Sequence, residues 1–186
     1  MNLFEHVAVA FSMVISFGVV RLLDGLRPAL VPGRRYWVHA VWLFQKLLNS
    51  GFYWWGFLSF REGPTWTVAS FVWILIVPSF LFLQATALVT KNPNGVNSWR
   101  DHFFEIRTWF FSVDVVLILH SIITASLLRN IPLLHPFRAL QAVGLTLSIL
   151  GVASASPHLH ATIAPLALAF QSLGLGSLFF TPLALE

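Results

Sequence analysis

Residues 139–185, ALQAVGLTLSILGVASASPHLHATIAPLALAFQSLGLGSLFFTPLAL, contain no Asp, Glu, Lys or Arg. A membrane-crossing helix needs about 20 mostly apolar residues, so this stretch has room for two. Residues 63–90 are equally bare and hold a third. The pattern extends to the whole chain, in which 57% of the 186 residues are hydrophobic and 10% charged. Soluble chains carry roughly 25% charged residues, and the mean hydropathy of +0.78 points the same way. The composition predicts an integral membrane protein, and the long unbroken apolar runs predict helices rather than the alternating ten-residue segments of a transmembrane barrel.

Six spans are expected, at about 3–23, 36–60, 65–89, 103–128, 137–153 and 161–182. Arg21, Asp24 and Gly25 are expected to close the first, with Pro28, Pro32 and Gly33 breaking the loop after it. Arg61, Glu62, Gly63 and Pro64 end the second, Asn92 to Gly95 form a turn, and Ala153 to His158 separate the last two. Loops are short, so the fold class is all-α: one polytopic bundle of six transmembrane helices without a soluble domain. The N-terminus lacks the basic region and cleavage site of a signal peptide and reads as the first span.

Eleven Lys and Arg produce the basic balance, but they are scattered and form no stretch that would track a phosphate backbone. No nucleic-acid partner is expected; the lipid bilayer is, along with a homo-oligomer or a larger membrane complex. Seven basic residues (Arg21, Arg27, Arg34, Arg35, Lys91, Arg100 and Arg107) fall on one side of the expected bundle. Three (Arg61, Arg129 and Arg138) fall on the other. The positive-inside rule then places both termini outside. Trp37, Trp54, Trp55, Trp66, Trp99 and Trp109 lie near span ends, where aromatic belts form.

Ionisable groups at membrane depth cost roughly 2.5–3.5 kcal/mol on insertion scales and are functional candidates for that reason. Lys46 and Asp114 qualify, and His120 is a third. On a helix His39, Trp42, Lys46, Asn49, Ser50 and Tyr53 share a sector about 100° wide. Such a polar stripe predicts either a helix–helix seam or a water-filled pathway. Arg107, Asp114 and Ser121 share one face of the fourth span, with His120 nearly opposite. Lys46 and Asp114 lie about 15 Å along helices that start on the same side, which predicts an ion pair. Gln84 and Gln171 are expected to hydrogen-bond between helices, and Gly174 and Gly176 to allow close packing. Phe4-Glu5 and Phe11-Ser12 recur as Phe104-Glu105 and Phe111-Ser112, and Pro78 and Gln84 as Pro165 and Gln171. An inverted three-plus-three repeat is one reading of these matches, and chance recurrence in a Phe-rich chain is the other.

No cofactor is expected. Cysteine is absent, which excludes disulfides and thiolate ligation. His39 and His120 would differ in depth by roughly 20 Å, too far to share a haem. The His158-x-His160 pair has no carboxylate cluster to complete a metal site. Gly174-Leu175-Gly176-Ser177 is similar to the serine motif of rhomboid-type proteases but lacks the second Gly and a later His, so no enzyme is expected. Segment 4–27, the start of the second span at 36–42 and the Trp54-Trp55 pair together resemble a kind of bacterial multi-pass protein that is itself uncharacterised. That resemblance implies a bacterial inner membrane and no activity. A potassium-channel family with Phe-Ser-Asp in its first helix has a similar helix count, but Met13 follows Phe11-Ser12 here. The function expected is passage of an ion, proton or small polar solute through a polar seam of spans two and four. The alternative is an accessory or scaffold subunit of a larger complex.

Overall fold

The computed structural model describes residues 3–61, 67–128, 130–132 and 134–179. Trp66, Arg129, the Glu62–Pro64 turn and the expected end of the sixth span near Pro182 lie outside them. Six α-helices follow in order: α1 (Leu3–Ala29), α2 (Trp37–Leu58), α3 (Val68–Leu88), α4 (Trp99–Leu127), α5 (Pro136–Ala153) and α6 (Pro157–Phe179). No strand occurs among the described residues. Three segments, α1, α3 with the 3-10 turn that follows it, and α4, are long and apolar enough to cross a membrane.

The helices close into a ring in which α1 meets α3, α3 meets α4, α4 meets α5, α5 meets α6, and α6 returns to α1 through α2. Helix α2 also leans inward onto α3 and α4. The two halves of the chain pack differently. Helix α1 lies chiefly on α3, the third helix of its half, whereas α4 lies chiefly on α5, the second of its own. That difference gives no support to an inverted repeat.

Helix ends depart from the sequence expectation for a common reason. Arg21, Asp24 and Gly25 do not close α1, which continues through Pro28 to Ala29. The Arg21 guanidinium instead donates to the Val89 carbonyl at 3.0 Å and to that of Thr90, capping α3. Helix α4 starts at Trp99, earlier than expected, because Ser98 accepts from the Asp101 amide at 3.2 Å as its N-cap. Trp99 then donates its indole N–H to the Pro28 carbonyl at 2.9 Å, and Arg34 donates to the carbonyls of Asn94 and Val96. The first and third loops are thereby tied together at one end.

Burial on α1 follows Val7, Phe11, Ile15, Gly18, Leu22, Gly25 and Ala29, a single stripe at three- and four-residue steps. Its opposite face exposes Met13, Phe17 and Val20. At Gly25 the missing side chain lets the end of α3 approach, for a Cβ there would lie 2.3 Å from a methyl of Val89, the residue that follows α3. Gly151 does the same between α5 and α4, where a Cβ would stand 2.6 Å from the Phe111 ring. Phe111 is fully buried beside Trp42, Phe110 and His160, so it has nowhere to turn. Gly151→Ala is expected to lower stability by about 1–3 kcal/mol through overpacking. Gly51→Ala, at a helical site with open space around it, should stabilise by up to about 1 kcal/mol. Thermal unfolding in mild detergent measures both.

Two apolar layers fill the interior. One gathers Leu22, Trp42, Leu88, Trp99, Phe103, Phe110 and Phe111 at the tied end. The other gathers Val7, Phe11, Phe57, Ile74, Leu81 and Leu117 toward the opposite end. Between them lies a buried polar layer.

Candidate functional site

The polar layer is built around Asp114. Lys46, 2% exposed, reaches from α2 so that its Nζ lies 2.5 Å from Asp114 Oδ1. Gln84 of α3 donates to the same oxygen at 2.9 Å and to the Phe110 carbonyl at 3.3 Å. Ser148 of α5 sets its hydroxyl 3.3 Å from Asp114 Oδ2, sharing its one proton between that oxygen and the Gly144 carbonyl at 2.9 Å. Four helices thus converge on one carboxylate. The ammonium also stands 5.1 Å from the Phe110 ring centroid, within range of the ring's attraction for a cation. A buried ion pair repays its desolvation only with good geometry and further hydrogen bonds, and both are present.

The polar stripe of α2 faces inward: His39, Trp42, Lys46, Asn49 and Ser50 are buried, while Phe44 on the other side is exposed. Its members have different surroundings. Asn49 and Tyr53 join Trp42, Gln45 and Asp114 in lining a partly open cavity of about 120 Å³, closed on its far side by α5 and α6 through Gln141, Ser148 and Gln171. Ser50 turns back to the Lys46 carbonyl at 2.9 Å. His39 lies apart from the cavity, stacked on Trp99 at 4.7 Å and next to His102 at 5.8 Å between ring centroids.

The face shared by Arg107, Asp114 and Ser121 runs along α5, with Asp114 alone of the three also bonded to α2. Arg107 donates to the carbonyls of Gly151, Val152 and Ser154 at 2.8–3.0 Å, capping α5. Asp114 takes Ser148, and Ser121 accepts from Gln141 at 2.9 Å. These contacts run antiparallel along the two helices. Arg107 is therefore a capping group for α5. Arg138 repeats the device on α4, donating to the carbonyls of Ile122 and Ile131 at 3.1 and 2.9 Å. Orphan carbonyls at helix ends need such donors where water is scarce.

His120 is also accounted for locally. Its Nε2 lies 3.0 Å from the Trp73 carbonyl and its Nδ1 3.5 Å from the Thr124 hydroxyl, with the ring stacked on Trp73 at 4.5 Å. Trp73 immediately precedes Ile74, whose carbonyl Pro78 leaves without its helical donor. His120 thus braces the proline-containing stretch of α3. Gln84 and Gln171 both bond across helices, the latter accepting from Gln45 at 3.5 Å. Gly174 faces Leu140 of α5, while Gly176 has open space; the Ser177 side chain is outside the described residues. His158 and His160 fall within the first turns of α6, not in a loop. His160 is buried and bonded to the Ser154 carbonyl at 2.8 Å, and His158 is exposed. No group of three metal-ligating side chains occurs among the described residues.

Sequence reasoning missed Gln45, Gln141 and Ser148. Gln45 is flagged by its place one residue before Lys46. Gln141 and Ser148 sit seven residues apart in a span otherwise short of polar groups, a heptad match to Ser121 and Asp114 that could have located them. No protein-family model matches this chain, and no curated protein or solved structure matches it either.

Proposed function

We propose that the chain spans the bacterial inner membrane six times, with both ends outside, and passes a small polar solute, ion or proton through the cavity at Asp114. The inside-out distribution of side chains supports six spans. Exposed apolar residues occur on every helix, including Phe44 on α2, Ile149 on α5 and Leu173 on α6, while Lys46, Gln84, Asp114 and Ser148 are buried. Lipid favours that arrangement and water does not. Arg21, Arg107 and Arg138 donate to helix carbonyls and are set aside in counting the charges that support this orientation. Without those three, the sequence still sets Arg27, Arg34, Arg35, Lys91 and Arg100 in the expected inner loops against Arg61 and Arg129 in the expected outer ones.

The observation that carries the transport reading is the cavity itself, polar at its base and walled by α2, α4, α5 and α6. The seam lies among these four helices rather than between α2 and α4 alone. A second reading, an accessory subunit packed in a larger membrane complex, is favoured by the close hold of Lys46 and Gln84 on Asp114 Oδ1, which suits a dry lock. Single cysteines in this cysteine-free chain separate the two. At Asn49 and Tyr53 they are expected to react with a water-soluble thiol reagent at least tenfold faster than at Phe44 or Leu48. Uniform silence at all four positions would favour the accessory subunit.

A further inference from the structure

The charges at the cavity are already matched. Asp114 Oδ1 is held by Lys46 and Gln84, and its Oδ2 carries the longer bond from Ser148. Arg138, which touches the wall by donating to Gln141 at 3.0 Å, directs its charge to carbonyls at the C-terminal end of α4. What remains uncommitted on the wall is neutral. The Trp42 indole N–H and Gln45 Oε1 are buried without a hydrogen-bond partner, although both residues line the cavity. Gln45 is 6% exposed and Trp42 1%. Buried polar atoms are seldom left unpaired, because the desolvation of an unmade hydrogen bond is not repaid in the interior. One donor and one acceptor, beside the aromatic faces of Phe52 and Tyr53, define a hydrogen-bonding pattern rather than a charge.

We infer that the cavity binds a small uncharged solute carrying both a hydrogen-bond acceptor and several donors, of the amide, urea or polyol type. Its acceptor meets the Trp42 N–H, and its donors meet Gln45 Oε1 and the less occupied Asp114 Oδ2. At the roughly 10–15 Å³ needed per water-sized group, 120 Å³ admits about eight to twelve non-hydrogen atoms. An ion would enter this site against the cost of an uncompensated charge in low dielectric, and a protein built to take one would leave Asp114 or Lys46 unpaired. This rests on the transport reading and narrows its substrate class.

The test uses three probes of nearly equal shape: acetamide, acetate and acetamidinium. Each is titrated against modification of Asn49→Cys by a methanethiosulfonate reagent, with Phe44→Cys as the lipid-side control. Acetamide is expected to slow modification at Asn49→Cys at least fivefold, while acetate and acetamidinium leave it unchanged. Introducing Gln45→Glu should move the protection from acetamide to acetamidinium, and its unprotected labelling rate reports whether the fold is intact. Labelling without protection by acetamide would overturn the neutral-solute inference alone. Protection by acetate or acetamidinium in the Gln45 background would also overturn it, leaving passage of an ion in place. Silence at Asn49→Cys with and without probe would overturn both readings.

Discussion

Asp114→Asn is expected to lower stability in mild detergent by about 3–5 kcal/mol, the usual consequence of removing one partner of a buried ion pair. Lys46, 2% exposed and seated between apolar layers, would be left with a buried ammonium group without its counter-charge. Its head stands 6.0 Å from the Trp42 ring and 5.1 Å from the Phe110 ring, so it cannot snorkel without leaving those contacts. Replacing both residues by apolar ones of similar volume, Lys46→Met with Asp114→Leu, should recover most of the loss. Hydrophobic replacement of a whole buried pair is often neutral or stabilising. Exchanging the charges, Lys46→Asp with Asp114→Lys, should recover a part, because Gln84 and Ser148 are placed for a carboxylate on α4. Strictly additive effects in these cycles would mean that the two residues do not interact.

Arg107→Met is expected to cost about 3 kcal/mol although no acidic partner is lost. The variant keeps the apolar stem and strips the donors from the Gly151, Val152 and Ser154 carbonyls. Hydrogen bonds to a charged group contribute about 1.5–3 kcal/mol each, and a buried acceptor left unmade costs more than a made one gives. Arg107→Lys should restore part of the loss, since an ammonium reaches fewer of the three oxygens. A loss below about 1 kcal/mol for Arg107→Met, measured by denaturation in mixed micelles, would mean that water serves those carbonyls and that α5 ends at an aqueous boundary.

Both predictions concern features that the sequence made visible to different degrees. Lys46 and Asp114 stood out because charge is rare in apolar runs and because equal distance along two helices implies equal depth. The identity of the neighbouring helix was less visible. Arg107, Asp114 and Ser121 at heptad spacing revealed a face, but spacing on one helix says nothing of which helix it meets. The partner proved to be α5, whose Gln141, Ser148 and C-terminal carbonyls answer that face. Helix ends were obscured for a related reason. Arg21, Arg107 and Arg138 read as boundary charges, whereas each serves the carbonyl end of another helix. A long-range cap leaves no local signature, so α1 runs through Asp24 and Gly25 against the expectation that charge and glycine end it. Gly25 is legible only in three dimensions, where Val89 fills the space its side chain would occupy.

His39 shows the limit of the stripe argument. Helical geometry put it in the same sector as Lys46, and it is indeed buried. Trp99 and Phe103, from the unanticipated first turn and a half of α4, wall it off from the cavity that Asn49 and Tyr53 line. Sector membership therefore fixed the direction of these side chains but not their common environment.

Passage through the Asp114 cavity is tested most directly by solute flux into proteoliposomes holding the purified chain. Uptake of acetamide or glycerol is expected above that of empty liposomes, abolished when a bulky thiol adduct is placed on Asn49→Cys and untouched by the same adduct on Phe44→Cys. Uptake that never exceeds the empty-liposome rate for neutral solutes, cations, anions or protons would contradict such passage.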